Sequence, residues 1–400
     1  MEYKINKKAL KIFIIFFLIY PFFSNKSLFP FSEPIIKVLI VKDEKLRVRA
    51  DSSIPLNISI RKPILPKTKI KGLTLKRLNN KIILSLDSNK DKYYEISNNK
   101  SLIIRSSDRR GIWINSKRYS GKINIVFRNN KILVINVLGV EKYLNSVVGS
   151  EMPHKWHIEA LKAQAIASRT YALKKTNNGL YDIDSTQTNQ VYNGLESSTF
   201  KTRRAVRETR SLVITYKNKL INALFHSSSG GMTENSEDVW SDPYPYLVTV
   251  KDFDQKNPKI RWNKEVSKSE LKEIFPIIGG IQQIEVLNIT ETGRIKNLKI
   301  TGTLGDKVIT GKEFRSKLGL KSTLFRPTIS EDFYDKKDLN NQSNIQFHPY
   351  LTISGMGAGH GVGMSQWGAR YMADKGYKAN QILKYFYKGV NIKPFIQRYK

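Results

Sequence analysis

The chain has 400 residues, of which 40% are hydrophobic and 10% aromatic, and this much apolar surface excludes global disorder and allows one large core or several smaller ones. The absence of cysteine excludes disulfides, thiolate zinc sites and a cysteine nucleophile. The 68 basic and 34 acidic residues give a net charge of +34, which favours binding to nucleic acid, anionic lipid or an anionic wall polymer. An AT-rich genome would also give such a charge without a functional demand.

The N-terminus has the pattern of an export signal. A cluster of four lysines precedes an unbroken apolar run at residues 12–23, as in a signal peptide. This run is shorter than the roughly 20 residues that span a bilayer, and no small-x-small cleavage motif follows it. We therefore expect export to the periplasm or to the cell-wall side of the membrane. Residues 1–30 would be either a cleaved signal peptide or an anchor that contacts the membrane through residues 12–23.

A β-rich module is expected next, at residues 31–120, because short β-like runs alternate with Pro, Asn and Ser. Alternating apolar residues on either side of an Asn-Asn pair predict a β-hairpin at residues 123–137. An amphipathic stretch at residues 140–148 then leads to Glu151.

The clearest helical pattern covers residues 156–175, where apolar residues form a stripe and Asn-Asn-Gly follows. Lys162 and Arg169 are seven residues apart, so two helical turns place them on one face. Such a pair can hold an anionic or hydroxyl-rich ligand. Two basic residues on a solvated helix are also commonplace, so this alternative stays open.

The pattern changes again after residue 254, where helix-like and strand-like segments predict an inserted α+β subdomain at about residues 255–345. Two helices, at residues 364–375 and 380–387, are predicted to close a larger region that spans residues 121–400. The expected fold class is α+β, with a β-rich N-terminal module before this larger region.

A glycine-rich segment surrounds His360, with five glycines alternating from residue 355 to residue 363. Glycine at this density lets the backbone approach a ligand closely. The segment matches neither the GxGxxG fingerprint nor the P-loop, so nucleotide binding is disfavoured. A purely structural loop remains an alternative.

Three further features bear on the chemistry. Ser228 belongs to a Ser-Ser-Ser-Gly-Gly run that lacks the GxSxG pattern of a nucleophilic serine, so the run is interpreted as hydrogen-bonding lining or as a polar turn. His154 and His157 could face each other as metal ligands, but without HExxH the pair is weak support for a metal site. Glu151, just before Met-Pro at a helix entrance, is a candidate general acid/base.

Six segments and one tryptophan occur in a fixed order between about residues 135 and 390. They are VEKYLNSVVGSEMP (140–153), Trp156, EALKAQAIASRTYA (159–172), QVYNG (190–194), SSSGGMT (227–233), residues 311–320 and HGVGMSQWGA (360–369). Together they closely resemble the SpoIID/LytB domain of the stage II sporulation protein D family. Several long motifs in register are far more specific than any one of them.

The resemblance implies a peptidoglycan lytic transglycosylase that cleaves the MurNAc–GlcNAc linkage and leaves 1,6-anhydro-MurNAc ends. Glu151 matches the glutamate that acts as acid/base, and one such residue suffices in this reaction. Lys162 and Arg169 match basic positions tied to activity. The residues expected to bind substrate are Lys162, Gln164, Arg169, Ser228, His360, Ser365 and Gln366.

The same resemblance sets the expected partners. These are peptidoglycan glycan strands and, because LytB-type relatives are described as enhancers, a cell-wall amidase. No cofactor is expected. No metal is expected either, because relatives that bind zinc use Cys and His and this chain has no cysteine. Nucleic acid is not expected, because only the charge suggests it. The alternative function is a non-catalytic wall-binding enhancer of an N-acetylmuramoyl-L-alanine amidase, which would not need Glu151. Wall remodelling in growth or division is the expected role, not sporulation.

Overall fold

The computed structural model describes residues 33–396, apart from residues 52–53, 61–67, 79–80, 97–100, 130, 241 and 331–349. The described residues from Ile35 onward form one compact unit. The export signal expected at residues 1–30, with its apolar run at residues 12–23, lies outside the described residues. Within the described ranges, no helix is long and apolar enough to cross a membrane.

The described part of the chain is mixed α+β, which confirms the expected fold class. Its strands are β1 (Ile35–Asp43), β2 (Lys45–Ala50), β3 (Leu56–Ile60), β4 (Thr68–Ile70), β5 (Gly72–Leu78), β6 (Lys81–Leu86), β7 (Asn89–Ile96), β8 (Ser101–Arg105), β9 (Ile112–Ile114), β10 (Lys117–Tyr119), β11 (Lys122–Arg128), β12 (Lys131–Gly139), β13 (Ile183–Asp184), β14 (Leu212–Tyr216), β15 (Lys219–Leu220), β16 (Phe225–His226), β17 (Arg261–Val266), β18 (Gln283–Ile289), β19 (Ile295–Gly302), β20 (Gly305–Thr310), β21 (Phe325–Ile329), β22 (Leu351–Met356), β23 (Met364–Ser365) and β24 (Asn391–Pro394). Its helices are α1 (Val140–Glu151), α2 (Ile158–Lys175), α3 (Phe200–Glu208), α4 (Lys268–Ile274), α5 (Gly311–Leu318), α6 (Gln366–Asp374) and α7 (Ala379–Phe386).

Two sheets build the β-rich N-terminal part. One has the strand order β13-β1-β12-β11-β8-β3-β4 and the other has the order β10-β9-β2-β5-β6-β7. Buried side chains alternate with more exposed ones along β2, β6, β8 and β11, which is the pattern of strands with one face on a core. The predicted hairpin is confirmed as β11 and β12. The first sheet contains strands from both sides of the division expected between residues 120 and 121.

Helix α2 is the central element of the helical part. Nearly all of its side chains are buried, and it packs against α1, α3, α6 and α7. Its buried surface goes all the way round, as is typical of a helix inside a core. The helix begins at Ile158, two residues later than predicted, because the ring of His157 caps it by accepting a hydrogen bond from the Glu159 amide at 3.2 Å.

A second hydrophobic core draws on side chains from Trp262 to Ile353. Two three-stranded sheets, β17-β22-β21 and β18-β19-β20, surround it together with α4 and α5. Ser267 and Thr310 cap these two helices. The sequence predicts an inserted subdomain at about residues 255–345, a range that overlaps the residues of this second core.

The glycine-rich segment connects this second core to the helical part. Ser228 pairs with Ala358, and β16 pairs with β23 in parallel. Gly363 has a φ of +75°, and a Cβ there would collide with the carbonyl oxygen of Leu224, so only glycine fits. Helix α6 begins at Gln366 rather than at the predicted residue 364, because β23 precedes it and Ser365 caps it.

Candidate active site

Glu151 is the last residue of α1, and both of its carboxylate oxygens accept hydrogen bonds. The amide of Val191 donates to Oε1 at 2.7 Å, and Nε2 of Gln366 donates to Oε2 at 3.3 Å. The two donors come from distant parts of the chain, 40 and 215 residues away. The fold therefore holds this carboxyl group from two sides with uncharged groups.

Burial raises the pKa of Glu151 to about 7, and the hydrogen bonds from Val191 and Gln366 lower the pKa by less than burial raises it. The position of Glu151 at the C-terminal end of α1 also raises the pKa, because the negative end of the helix dipole disfavours a carboxylate. The side chain can therefore carry a proton at neutral pH, as a general acid must.

The segment at residues 190–193 presents the Val191 amide to Glu151. The Gln190 side chain accepts a hydrogen bond from the Tyr143 hydroxyl at 3.0 Å and donates one to the Ser168 carbonyl at 3.3 Å. The Tyr192 hydroxyl donates to Asn136 Oδ1 at 2.8 Å. Side chains on both sides of Val191 are thus anchored in the core.

A pair of tryptophans follows the two contacting residues closely in the chain, Trp156 five residues after Glu151 and Trp367 directly after Gln366. The rings of Trp156 and Trp367 meet edge to face, with centroids 4.9 Å apart. The guanidinium of Arg370 lies over both rings, 5.3 Å from the Trp156 centroid and 4.7 Å from the Trp367 centroid. Met152 and Trp156 are buried, whereas Pro153 is exposed.

The two basic residues of α2, Lys162 and Arg169, both contact α3 and both have acidic partners. Arg169 is 1% exposed and donates from Nε and Nη2 to the two carboxylate oxygens of Glu141 at 2.8 and 2.7 Å. It also donates to the carbonyls of Leu212 and Val206. Arg169 thus holds α1, α2 and α3 together, and its substrate-binding role stays a prediction.

Lys162 is more accessible than Arg169. Its ammonium lies 3.0 Å from Glu159 Oε1 and 2.7 Å from Glu208 Oε2. Burial lowers the pKa of Lys162, but the hydrogen bonds to Glu208 and Glu159 raise it by more, so the side chain stays charged. Gln164, two residues further along α2, is fully buried and donates to Ser168 Oγ at 2.9 Å.

A second polar cluster gathers Ser228 and Ser365 around two buried aspartates. The Ser228 hydroxyl donates to Asp254 Oδ2 at 2.5 Å, and the Ser365 side chain bonds Asp252. Burial, followed by the charge of Asp254, raises the pKa of Asp252 to about 6. Ser365 also accepts the Gly368 amide at 3.1 Å, which caps α6. This cluster therefore fixes the start of the helix that carries Gln366.

His360 lies beside His226, with ring centroids 5.5 Å apart, and beside Trp240 at 5.2 Å. Its Nδ1 accepts the Val362 amide at 3.1 Å. Burial, with a smaller effect from the charge of Arg315, lowers the pKa of His360 to about 4. The ring is therefore neutral at pH 7.

Of the predicted binding residues, Gln366 contacts Glu151 directly, and Ser365 precedes Gln366 in the chain. Ser228 and Ser365 meet through the aspartate pair, with His360 on the adjoining glycine-rich segment. The described ranges contain no group of three or more His, Asp or Glu side chains that could hold a metal ion.

Comparison of the sequence with known proteins shows the family of this chain. A family model described as Stage II sporulation protein (SpoIID) matches residues 128–216, and one described as a domain of unknown function (DUF8618) matches residues 246–363. Stage II sporulation protein D of Bacillus subtilis is 33% identical over 288 residues, which cover 67% of this chain and 78% of that protein. The chain belongs to the SpoIID family.

Two further relatives show the range of this similarity. An uncharacterized protein of Brachyspira hyodysenteriae is 34% identical over 291 residues, covering 70% of this chain and 74% of that protein. The amidase enhancer of Bacillus subtilis is 32% identical over 296 residues, covering 62% of this chain but 40% of the enhancer.

The SpoIID match and the site overlap only in part. Glu151 and Val191 lie within the matched residues 128–216, whereas Gln366 lies beyond both matched segments and Ser228 lies between them. Sequence reasoning missed the part played by Val191, because a backbone amide leaves no side-chain pattern. It also missed Arg370, which follows the HGVGMSQWGA motif directly and looks like an ordinary charge on a helix.

Proposed function

We propose that this SpoIID family member is a peptidoglycan lytic transglycosylase, which cleaves the MurNAc–GlcNAc linkage of glycan strands and forms 1,6-anhydro-MurNAc ends. The observation that carries the proposal is the Glu151 carboxyl group, whose burial raises its pKa to about 7 while both hydrogen-bond donors are neutral. A carboxyl group with a pKa near neutrality can give up and recover a proton within one catalytic cycle.

In the proposed reaction, protonated Glu151 donates its proton to the glycosidic oxygen, and the bond from that oxygen to C1 of MurNAc breaks. The 6-hydroxyl of the same MurNAc residue forms a bond to C1, and the Glu151 carboxylate accepts the hydroxyl proton. No water is consumed, and the enzyme returns to its protonated state. One carboxyl group therefore serves both steps, unlike the carboxyl pair of hydrolytic glycosidases.

The two hydrogen-bond donors of Glu151 support these steps. The Val191 amide and the Gln366 side chain fix the direction of the carboxyl group, which proton transfer to a particular oxygen requires.

We also propose that the protein acts at a bacterial cell wall, after export to the periplasm or the wall side of the membrane. The lysine cluster and apolar run that end at residue 23 support export. The net charge of +34 suits an anionic wall polymer. A cell-wall amidase is a further proposed partner.

The second candidate function is a non-catalytic enhancer of such an amidase. The similarity to the Bacillus subtilis amidase enhancer, 32% over 296 residues, favours it. In that function the protein would bind glycan strands without breaking them, and the proton on Glu151 would have no role.

Mass spectrometry of peptide-free glycan strands distinguishes the two functions. The full chain, the Glu151→Gln variant and a control with the exposed Glu265→Gln change are each incubated with the strands. We expect anhydromuramyl ends from the full chain and the control but not from Glu151→Gln. Reducing ends would mean hydrolysis. Binding without cleavage by all three proteins would support the enhancer and reject the enzyme.

A further inference from the structure

Helix α3 and the turn that follows it carry a dense group of positive charges. Residues 201–210 contain one lysine, four arginines and one glutamate. The glutamate, Glu208, pairs with Arg204 Nε at 2.6 Å and with Lys162 Nζ at 2.7 Å. Its negative charge is therefore already used within the protein, and it does not neutralise the other arginines of this stretch.

Three of these arginines form a stripe with an exposed aromatic ring. Arg203, Arg207 and Arg210 are exposed, and Phe200 is 72% exposed. Because they are spaced by three or four residues, all four lie on one face of α3 and of the turn that continues it. We call these four residues the basic stripe. The opposite face packs into the protein through the buried residues Thr202, Ala205, Val206 and Thr209.

The arginines of the basic stripe keep their charges available. Within the described part of the chain none of the three forms an ion pair, and Arg203 donates instead to the carbonyl of Ser198 at 3.2 Å. Arg169, by contrast, is bonded to both carboxylate oxygens of Glu141. A guanidinium binds a phosphate group through two parallel hydrogen bonds. The basic stripe therefore suits a partner that presents several phosphate groups.

The protein core holds the basic stripe in place. A capping box of Thr199 and Thr202 fixes the start of α3. Thr202 Oγ1 donates to the carbonyl of Asn145 in α1 at 3.2 Å, and Arg169 Nη2 donates to the carbonyl of Val206 at 3.4 Å. At 1.5 Å of rise per residue the stripe is about 15 Å long. A partner therefore meets a fixed row of charges on an outward-facing helix surface.

Phe200 distinguishes between two kinds of partner that carry phosphate groups. A hydrophilic phosphate polymer would neutralise the arginines but would offer no apolar environment to the exposed ring. A lipid bilayer offers both, because acyl chains lie directly below its headgroup phosphates. Helices that bind at this boundary place aromatic rings among the acyl chains and basic residues among the headgroups. The combination of Phe200 with three free arginines therefore favours a lipid surface.

We propose that the basic stripe docks the protein onto an anionic phospholipid surface, with its arginines at the headgroup phosphates and the Phe200 ring at the edge of the acyl chains. This contact is separate from the apolar run at residues 12–23, and it does not depend on glycan cleavage. It would keep the compact unit that carries Glu151 at the membrane whether or not residues 1–30 are cleaved.

Binding to three probes tests the inference. The probes are vesicles of phosphatidylglycerol and phosphatidylcholine in equal parts, vesicles of phosphatidylcholine alone, and inorganic polyphosphate as a soluble phosphate polymer. Every protein is the full chain with Phe16→Asp and Phe17→Asp, which interrupt the apolar run at residues 12–23 so that it does not itself bind vesicles. Co-sedimentation gives an apparent Kd for the vesicles, and fluorescence anisotropy gives Kd for polyphosphate.

Three variants are compared with this parent protein. The stripe variant carries Arg203→Gln and Arg207→Gln. The matched control carries Arg261→Gln and Arg326→Gln, which remove the same charge from two exposed arginines of β17 and β21. The third variant is Phe200→Ser. Circular dichroism checks that each variant is folded.

We expect the parent to bind the anionic vesicles more tightly than the phosphatidylcholine vesicles. The stripe variant should bind the anionic vesicles about 25-fold more weakly, because each basic residue at an anionic bilayer contributes about fivefold in affinity. The matched control should bind them nearly as tightly as the parent. Phe200→Ser should bind them about tenfold more weakly, because the ring no longer leaves water, and its affinity for polyphosphate should be unchanged.

Three results would overturn the inference. Equal losses in the stripe variant and in the matched control would mean that net charge alone explains the binding. Failure of the parent to bind anionic vesicles would reject the membrane, and binding of polyphosphate alone would identify a soluble phosphate polymer as the partner. An unchanged affinity of Phe200→Ser for the vesicles would mean that the ring does not reach the bilayer. None of these results bears on glycan cleavage, so the proposed function is tested separately.

Discussion

The two ends of helix α1 carry glutamates whose partners differ in charge. Glu141, in the first turn, is bonded through both oxygens to the buried guanidinium of Arg169. Glu151, the last residue, is bonded to an amide and to a carboxamide. The same residue type in the same helix is thus part of a salt bridge at one end and a potential proton donor at the other. A charged partner makes Glu141 part of a stabilising ion pair, whereas burial beside neutral donors lets Glu151 hold a proton.

The largest expected effect comes from removing the ionisable group at the second end. Glu151→Gln should lower the rate of anhydromuramyl formation by about 10²–10⁴-fold, the usual contribution of a general acid/base. The amide keeps the shape of the side chain, so binding of glycan strands should persist. Time courses of product formation measure the loss. A variant that kept a tenth of the activity would rule out the assigned role.

Removing the cation at the first end should instead affect stability. Arg169→Ala removes the 1% exposed cation that bonds both carboxylate oxygens of Glu141, and we expect a loss of about 3–5 kcal/mol in the free energy of unfolding. Lys162→Ala is the matched comparison, because the Lys162–Glu208 pair is more exposed to solvent and its loss should lower the free energy of unfolding much less. Urea unfolding of both variants gives the two values.

The same pair of variants also tests the predicted substrate-binding role of Arg169. Activity is measured per folded molecule at a temperature where both variants are folded. If Arg169 acts only through Glu141, its variant should have near-normal specific activity once folded. A specific activity reduced tenfold or more in a folded Arg169→Ala sample would support direct action on substrate.

The pKa of Glu151 predicts a pH-dependent difference in stability between the wild type and Glu151→Gln. Because burial raises the folded-state pKa from the ordinary 4.5 to about 7, the protonated form stabilises the native state fully below about 4.5, and this contribution is lost as pH rises through 7. The glutamine variant cannot ionise, so it should be more stable than wild type by roughly 1–3 kcal/mol at pH 8. At pH 4 the two should match. Melting curves at both pH values measure this, and an equal difference at the two would contradict it.

The smallest expected effect comes from removing one neutral donor. In the wild type, the hydrogen bond from Gln366 to Glu151 Oε2 lowers the pKa of the Glu151 carboxyl group. Gln366→Ala deletes this hydrogen bond. We expect a further rise in that pKa and a rate about two- to tenfold lower, as the loss of one neutral hydrogen bond implies. The pH–rate profile, with exposed Gln282→Ala as control, measures both changes. An alkaline limb displaced to lower pH would contradict the assignment.

Much of the local structure could be predicted from the sequence, since it depends on neighbouring residues. The hairpin of β11 and β12 follows from alternating apolar residues, and α2 and α6 each begin two residues later than predicted, where His157 and Ser365 act as caps. The motifs also singled out Glu151 and Gln366.

The partners within the site could not be predicted, because they are distant in the chain. No periodicity links Glu141 to Arg169, 28 residues later, or Glu151 to a donor 215 residues later. Val191 contributes through its backbone, which the side-chain pattern does not reveal. Arg370 is distinguished only by its contacts with the two tryptophan rings, and those rings come together through tertiary packing.

The most direct test of the account is the titration of Glu151 itself. Carbon-13 NMR of the glutamate side-chain carboxyl carbons is recorded from pH 3 to pH 9 for the wild type and for Glu151→Gln, and the resonance absent from the variant is assigned to Glu151. We expect that resonance to titrate with a midpoint near 7, as its burial beside neutral donors requires. A midpoint near the ordinary value of 4.5 would mean that the group is ionised at neutral pH, which would contradict its role as the acid that starts glycan cleavage.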